Sequence, residues 1–224
     1  MRIALQTLAS AAFGVAFLAL SLFVPAGTLS YWQAWVFIAV FTASTIVPSI
    51  YLAVHDPAAL RRRMTAGPTA ESRPLQRVVI SATVLLVMAT FVVAALDHRF
   101  GWSSVPVWAV PLGDVLVVAG LLLAQLVVVQ NGYASASITV EQDQPLVSTG
   151  LYGVVRHPMY LGALVMMIGT PLALVSFWAL LAVAAAAPVL AARIVDEEKM
   201  LREELDGYVD YSMRVRSRLI PGVW

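Results

Sequence analysis

Apolar residues run along this chain in long blocks rather than in alternation. Residues 3–24 (IALQTLASAAFGVAFLALSLFV), 31–54 (YWQAWVFIAVFTASTIVPSIYLAV) and 78–96 (VVISATVLLVMATFVVAAL) contain no charged side chain. A helix of about 20 apolar residues crosses a hydrocarbon core, so each block predicts a transmembrane helix. A fourth block, roughly 107–129, carries a single acid, Asp114, shortly after Pro111. A carboxylate in the first turn of a helix is favoured by the dipole and sits near the interface. The opening block has Arg2 in front and Pro25-Ala26-Gly27 behind, as a signal peptide would. Its apolar stretch is too long for that and further spans succeed it, so it reads as a retained helix.

The last block, 158–192, is longer than one span. As a single helix it would measure about 52 Å against a core of about 30 Å. Pro171 interrupts it, with Ser176 and a tryptophan close behind. A short helix, a turn near 171–176 and a return helix over about 177–192 is the predicted arrangement. Charge placement argues for the same hairpin. The loop 55–77 holds Arg61, Arg62, Arg63, Arg73 and Arg77, whereas the loop 97–106 holds Arg99 alone. The arginine-rich loop is expected on the cytoplasmic side. The tail 193–224, with Arg193, Lys199, Arg202, Arg214, Arg216 and Arg218, belongs there too. An even number of crossings between 158 and 192 is then required.

The expected fold is all-α: a polytopic integral membrane protein with about six membrane-embedded helices, a C-terminal hairpin and a cytoplasmic helical tail. Composition agrees, with 60% hydrophobic and 12% charged residues and a mean hydropathy of +0.84. A net charge of +1 excludes an electrostatic nucleic-acid binder. Cysteine is absent, which excludes disulfides, thiolate metal sites and a cysteine nucleophile. His55, His98 and His157 are far apart and offer no metal cluster. The spans also lack the paired charges and repeated broken helices of a transporter.

The polar chemistry lies in two stretches, 141–160 (EQDQPLVSTGLYGVVRHPMY) and 193–224 (RIVDEEKMLREELDGYVDYSMRVRSRLIPGVW). They flank the hairpin, whose return would bring them together into one site. Arg156-His157-Pro158 alone could be an interfacial anchor with Pro at the first helical position. Asp196, Glu197, Glu198, Glu203 and Glu204 alone could be the solvated face of an amphipathic helix. Arg193 and Glu197 stand one helical turn apart at the membrane boundary, where an exposed salt bridge or a ligand site are the alternatives.

Three motifs in order around the hairpin resemble the isoprenylcysteine carboxyl methyltransferase family. They are Gly150-x-Tyr152-x-x-Val155-Arg156-His157-Pro158-x-Tyr160-x-Gly162, then Arg193-x-x-x-Glu197-Glu198, then Tyr208-x-x-Tyr211-x-x-Arg214-Val215 with Leu219-Ile220-Pro221. The resemblance, to a bacterial member related more distantly to membrane phospholipid methyltransferases, covers about residues 141–224. It extends loosely to His55-Asp56-Pro57 and Arg61-Arg62-Arg63. It implies an S-adenosylmethionine-dependent methyltransferase without a dinucleotide-type domain, and no GxGxxG lies between a strand and a helix here. By motif, the implied cofactor contacts are Gln144, Pro145, Leu146, Val147, Tyr152, His157, Pro158, Met159, Tyr160 and Glu197. Gln144-Pro145 departs from the eukaryotic pattern. Arg193 matches the family's substrate-side arginine, and Arg193 with Glu197 are the implied catalytic pair.

The chain is expected to form a single domain. A transmembrane bundle spans 1–130, and a cofactor-binding part spans 131–224 with its hairpin at 158–192. The expected setting is the bacterial inner membrane, with the active site facing the cytoplasm and no metal. The expected acceptor is lipophilic, a carboxylate first, with a phospholipid amine or a small thiol as alternatives.

Overall fold

The computed structural model describes residues 2–64, 71 and 73–224, with side chains from position 9 onward. Part of the basic loop predicted at 55–77, residues 65–70 and 72, lies outside the described residues. Every element among the described residues is helical: α1 (Arg2–Ala26), α2 (Trp32–His55), α3 (Pro57–Met64), α4 (Pro74–Phe100), α5 (Ala109–Gln130), a 3₁₀ turn (Gly150–Gly153), α6 (Pro158–Ala173), α7 (Ala179–Glu204) and α8 (Tyr208–Arg214). Proline opens α4 and α6, where its missing N–H has no intrahelical partner to lose. Gly101, at φ 65°, closes α4 in the left-handed cap that glycine adopts without strain.

Five helices, α1, α2, α4, α5 and α7, are long and apolar enough to cross a membrane, and α6 is a shorter apolar helix. Their outward faces stay apolar: Phe13, Leu85, Val115 and Leu181 are all at least 60% exposed. A surface of that kind is a liability in water and ordinary in lipid. The chain is a polytopic membrane protein.

Two ends of the bundle are held differently. At one end Tyr31 donates to the Leu174 carbonyl at 2.5 Å, reaching from the start of α2 to the α6–α7 turn. Beside it the buried Asp97 carboxylate accepts Ser103 N–H at 2.7 Å and the hydroxyls of Ser103 and Ser176, both at 2.6 Å. That one acid pins the α4–α5 loop to the tip of the hairpin. The apolar core, with Leu22, Phe37, Phe91 and Val117, lies beneath these contacts. The opposite end gathers the C-termini of α2, α5 and α7, the N-termini of α4 and α6, and all of α3 and α8.

Two expectations change in detail. The return helix does not stop near 192: α7 continues without a break to Glu204, so the charge run forms the last three turns of a spanning helix. Asp114 does not fall in the first turn of α5, which begins at Ala109 and holds no acid in its first turn. It sits a turn deeper, with its Oδ1 buried and unpartnered among the described residues.

Candidate functional site

A cavity of about 480 Å³ opens at the polar end, between α3, α8, the 131–149 loop and the helices α4 to α7. Ligand pockets run to about 300–1,000 Å³, so this is enough for a nucleoside-sized molecule. Its deep part is apolar and lies within the spans, walled by Ile80 of α4, Gly120 and Leu121 of α5, Met166 of α6 and Ala186 and Leu190 of α7. Its mouth is polar. Gln144, Pro145, Leu146, Val147, Tyr152, His157, Pro158, Met159, Tyr160, Arg193 and Glu197 all line it. The eleven residues come from a loop, a 3₁₀ turn and two helices, and the hairpin brings them together.

The chemistry is organised by the last turns of α7, where successive acids face different ways. Glu197 accepts the Tyr160 hydroxyl at 2.5 Å, and the same hydroxyl accepts Arg193 Nε at 2.9 Å. Arg193 and Glu197 therefore meet through Tyr160 rather than in a direct salt bridge. The rest of the Arg193 guanidinium is engaged: Nη1 donates to Glu71 and Gln76, both at 3.1 Å, and Nη2 to the Ala136 carbonyl at 3.0 Å. Among the described residues one Nη2 hydrogen is left without a partner, too few for a two-pronged carboxylate contact. Glu71, 2% exposed, also accepts the Ile138 N–H. Asp196 turns to α4, accepting Gln76 Nε2 at 2.5 Å and Arg73 at 2.8 Å.

Glu198 is the second organiser. It is 3% exposed and accepts Arg156 Nε at 2.6 Å and Arg218 Nε at 3.0 Å, with His157 Nε2 at 3.3 Å. Arg156 also donates to the carbonyls of Ser212, Val215 and Arg216. Backbone bonds from Arg156 N to Ser217 O and His157 N to Arg218 O close the join. The last residues of the chain are thereby tied to the start of α6. The His157 ring is fixed by Glu198 on one side and stacks on Tyr160, with centroids 5.6 Å apart.

Above the mouth, Tyr211 donates to the Tyr152 carbonyl at 2.7 Å, and Asn131 donates to the Tyr152 hydroxyl at 3.2 Å. Tyr208 lines the cavity, is 3% exposed, and its hydroxyl has no partner among the described residues. Burial, reinforced by the charge of Glu198, raises its phenol above the ordinary value, so it stays protonated. A buried orphan hydroxyl facing a cavity is a group awaiting a ligand or a water.

Several of these residues escape sequence reasoning. Glu71 and Gln76 look like ordinary polar positions in a basic loop, yet both meet Arg193 more than a hundred positions away. Glu198 reads as solvated and is buried. The three consecutive arginines of α3 read as one topogenic cluster, but they diverge. Arg62 forks onto Glu141 at 2.6 and 3.0 Å and holds the 131–149 loop, while Arg63 turns into the cavity.

The chain is similar to known proteins in part of its sequence and in its fold. Residues 108–206 match the phospholipid methyltransferase family, a span that takes in α5, the hairpin and the Arg193–Glu198 run. None of the curated proteins matches the chain. Among solved structures it matches the eukaryotic intramembrane Ras methyltransferase ICMT (isoprenylcysteine carboxyl methyltransferase) without a monobody. That likeness covers 96% of this chain and 86% of that one, at 15% identity and a TM-score of 0.50. The fold is ICMT-like, and both findings bear out the resemblance carried by the motifs between 141 and 224. Under half of the chain carries the family match, and the solved structure shows the fold.

Proposed function

We propose that this chain transfers a methyl group from S-adenosylmethionine to a lipophilic acceptor, a carboxylate first, at the cytoplasmic face of a bacterial inner membrane. The observation that carries the reading is the cavity itself. Its mouth is lined by the motif residues and its floor is apolar and lies among the apolar helices α4 to α7. A water-soluble cofactor reaches such a site from the cytoplasm, and a lipid-borne acceptor reaches it laterally from the bilayer.

The residues present suit the cofactor. Tyr208 offers a hydroxyl unpaired among the described residues, Glu197 a half-buried carboxylate for an ammonium or ribose hydroxyls, and His157 and Tyr160 a stacked aromatic pair. Loop residues Gln144 to Val147 line the cavity at its polar end, beside the Arg62–Glu141 fork that holds the loop. When bound, the cofactor supplies an electrophilic methyl on a sulfonium, which a nucleophile takes in an in-line displacement. The protein's part is alignment and exclusion of water, which is where the barrier is lowered in a reaction that disperses charge. A carboxylate acceptor is already ionised, so no proton has to be moved. Arg193 acts as a positioning residue, fixing the Tyr160 hydroxyl and through it Glu197. Residues 1–130 supply the bundle and 131–224 the cofactor-binding part.

The test is methyl transfer from tritiated S-adenosylmethionine in membranes containing the protein. The expected product is a lipid-extractable, base-labile methyl ester. A base-stable label would indicate amine or thiol methylation, and no label above background would overturn the reading. In parallel, calorimetry on purified protein should show S-adenosylhomocysteine binding that His157→Ala and Glu197→Ala each weaken tenfold or more. Unchanged affinity in both folded variants would reject the site assignment.

A further inference from the structure

Three arginines stand on the cavity wall, and two of them have a carboxylate of their own: Arg156 pairs with Glu198 and Arg193 with Glu71. Arg63 does not. Its hydrogen-bond partner among the described residues is the Met159 thioether, with Nη1 3.1 Å from Sδ, and sulfur is a weak acceptor. All thirteen acids of the chain lie within the described residues, and none forms an ion pair with Arg63. Burial lowers its guanidinium pKa from the ordinary value, opposed by the nearby Tyr160. A guanidinium does not deprotonate in a protein, so the half-buried Arg63 brings a positive charge to the cavity wall. The first turn of α6, which holds Met159, adds the positive end of a helix dipole. Its Nε and Nη2 edge makes no hydrogen bond among the described residues, and that edge is the one that forks onto a carboxylate.

We propose that Arg63 docks a ligand carboxylate in this cavity, a contact that the engaged fork of Arg193 does not make. The proposal rests on the methyltransferase reading, which supplies two sources for that group: the acid of the acceptor and the methionine end of the cofactor. Neighbouring Arg62, committed to Glu141, and Leu60, buried against α2 and α5, anchor α3 so that Arg63 is presented at a fixed place.

Calorimetry on the full chain in detergent separates the outcomes. Wild type, Arg63→Gln and Arg63→Lys are titrated with S-adenosylhomocysteine and its decarboxylated counterpart. The same proteins then receive farnesylthiopropionate and its methyl ester, with and without S-adenosylhomocysteine. Arg63→Gln is expected to weaken one of the two acids at least tenfold and leave its carboxyl-free counterpart unchanged. Arg63→Lys is expected to fall between the two. Loss confined to S-adenosylhomocysteine assigns the cofactor's carboxylate, and loss confined to the farnesylthio acid assigns the acceptor's. If Arg63→Gln does not fold, the same comparison of acid with ester in Arg63→Lys decides. Equal affinity of wild type and variants for both acids would overturn the proposal while leaving the methyltransferase reading intact. A wild-type protein that binds neither acid overturns both, and one that binds only the farnesylthio acid overturns the methyltransferase reading alone.

Discussion

Arg193 shows how much one side chain is asked to do here. It ends four hydrogen bonds on four partners from three other parts of the chain, and its charge faces Glu71 in a buried pair. Lysine at this position keeps the charge but cannot span those partners with one compact ammonium. Arg193→Lys is therefore expected to fold with roughly 1–3 kcal/mol less stability. It should lose S-adenosylhomocysteine affinity and methyl transfer together, each tenfold or more, because Tyr160 and Glu197, which Arg193 positions, drift. Transfer at the wild-type rate would reduce Arg193 to a support for the loop. Tyr208 makes the opposite case, a buried hydroxyl with no partner among the described residues. Tyr208→Phe removes a buried unsatisfied hydroxyl, so the ligand-free protein should melt no lower than wild type. Affinity for S-adenosylhomocysteine should fall about fivefold to tenfold, the ~1 kcal/mol of one hydrogen bond. Lower melting with unchanged affinity would contradict the assignment. The motif residues were legible because their spacing around Pro158 is read directly from the chain. Glu71, Gln76, Arg63 and the burial of Glu198 were not, because a single polar residue in a loop or a charge run looks solvated until packing far along the chain encloses it.

At the level of elements, the hairpin depends on how closely α6 can lie against α5. Gly113 faces Gly169 and Ala173, while Gly120 faces Gly162 and Met166, so the two helices run antiparallel with glycines at matching heights. A Cβ on Gly120 would sit 2.4 Å from the Gly162 carbonyl oxygen and 2.6 Å from the Met166 nitrogen, both backbone atoms that cannot swing aside. In an ordinary helix Gly→Ala is favourable by about 1 kcal/mol. Here the sign should reverse: Gly120→Ala is expected to destabilise by roughly 1–3 kcal/mol, as overpacking does. Gly14→Ala in α1, where nothing lies within 4 Å, is the control and should be neutral or slightly stabilising. Thermal unfolding of the two variants side by side checks this, and equal melting would show that α5 and α6 have room to part. Because Gly120 and Gly162 also wall the cavity, the same glycines set its depth. The spans and the hairpin could be read from apolar block length and from charge parity. The close α5–α6 seam could not, since a glycine in an apolar run carries no sign of what it faces. Nor could the unbroken α7, because the change from apolar to charged residues at 193 looks like a boundary although helical hydrogen bonding continues through it.

The molecule as a whole is polarised. Of fourteen lysines and arginines, Arg99 is the one at the Tyr31–Asp97 end, and the remaining thirteen belong in sequence to the end that holds the cavity. Positive charge is retained on the cytoplasmic side during insertion, and short flanking loops weigh most. By that rule the loop between α2 and α4 and the tail after α7 are expected on the cytoplasmic side, with the α4–α5 loop and its Arg99 opposite. The cavity should then open to the cytoplasm, where S-adenosylmethionine is made, and its apolar floor should face the bilayer. The absence of cysteine makes this directly measurable. Ser104, exposed in the α4–α5 loop, and Asp210, exposed on α8, sit at opposite ends. In intact cells a membrane-impermeant maleimide is expected to label Ser104→Cys and to reach Asp210→Cys only after permeabilisation. The reverse pattern would turn the whole bundle over and put the cavity out of reach of a cytoplasmic cofactor. Labelling of both in intact cells would mean that the hairpin does not return across the bilayer, and the even-crossing argument would fail with it.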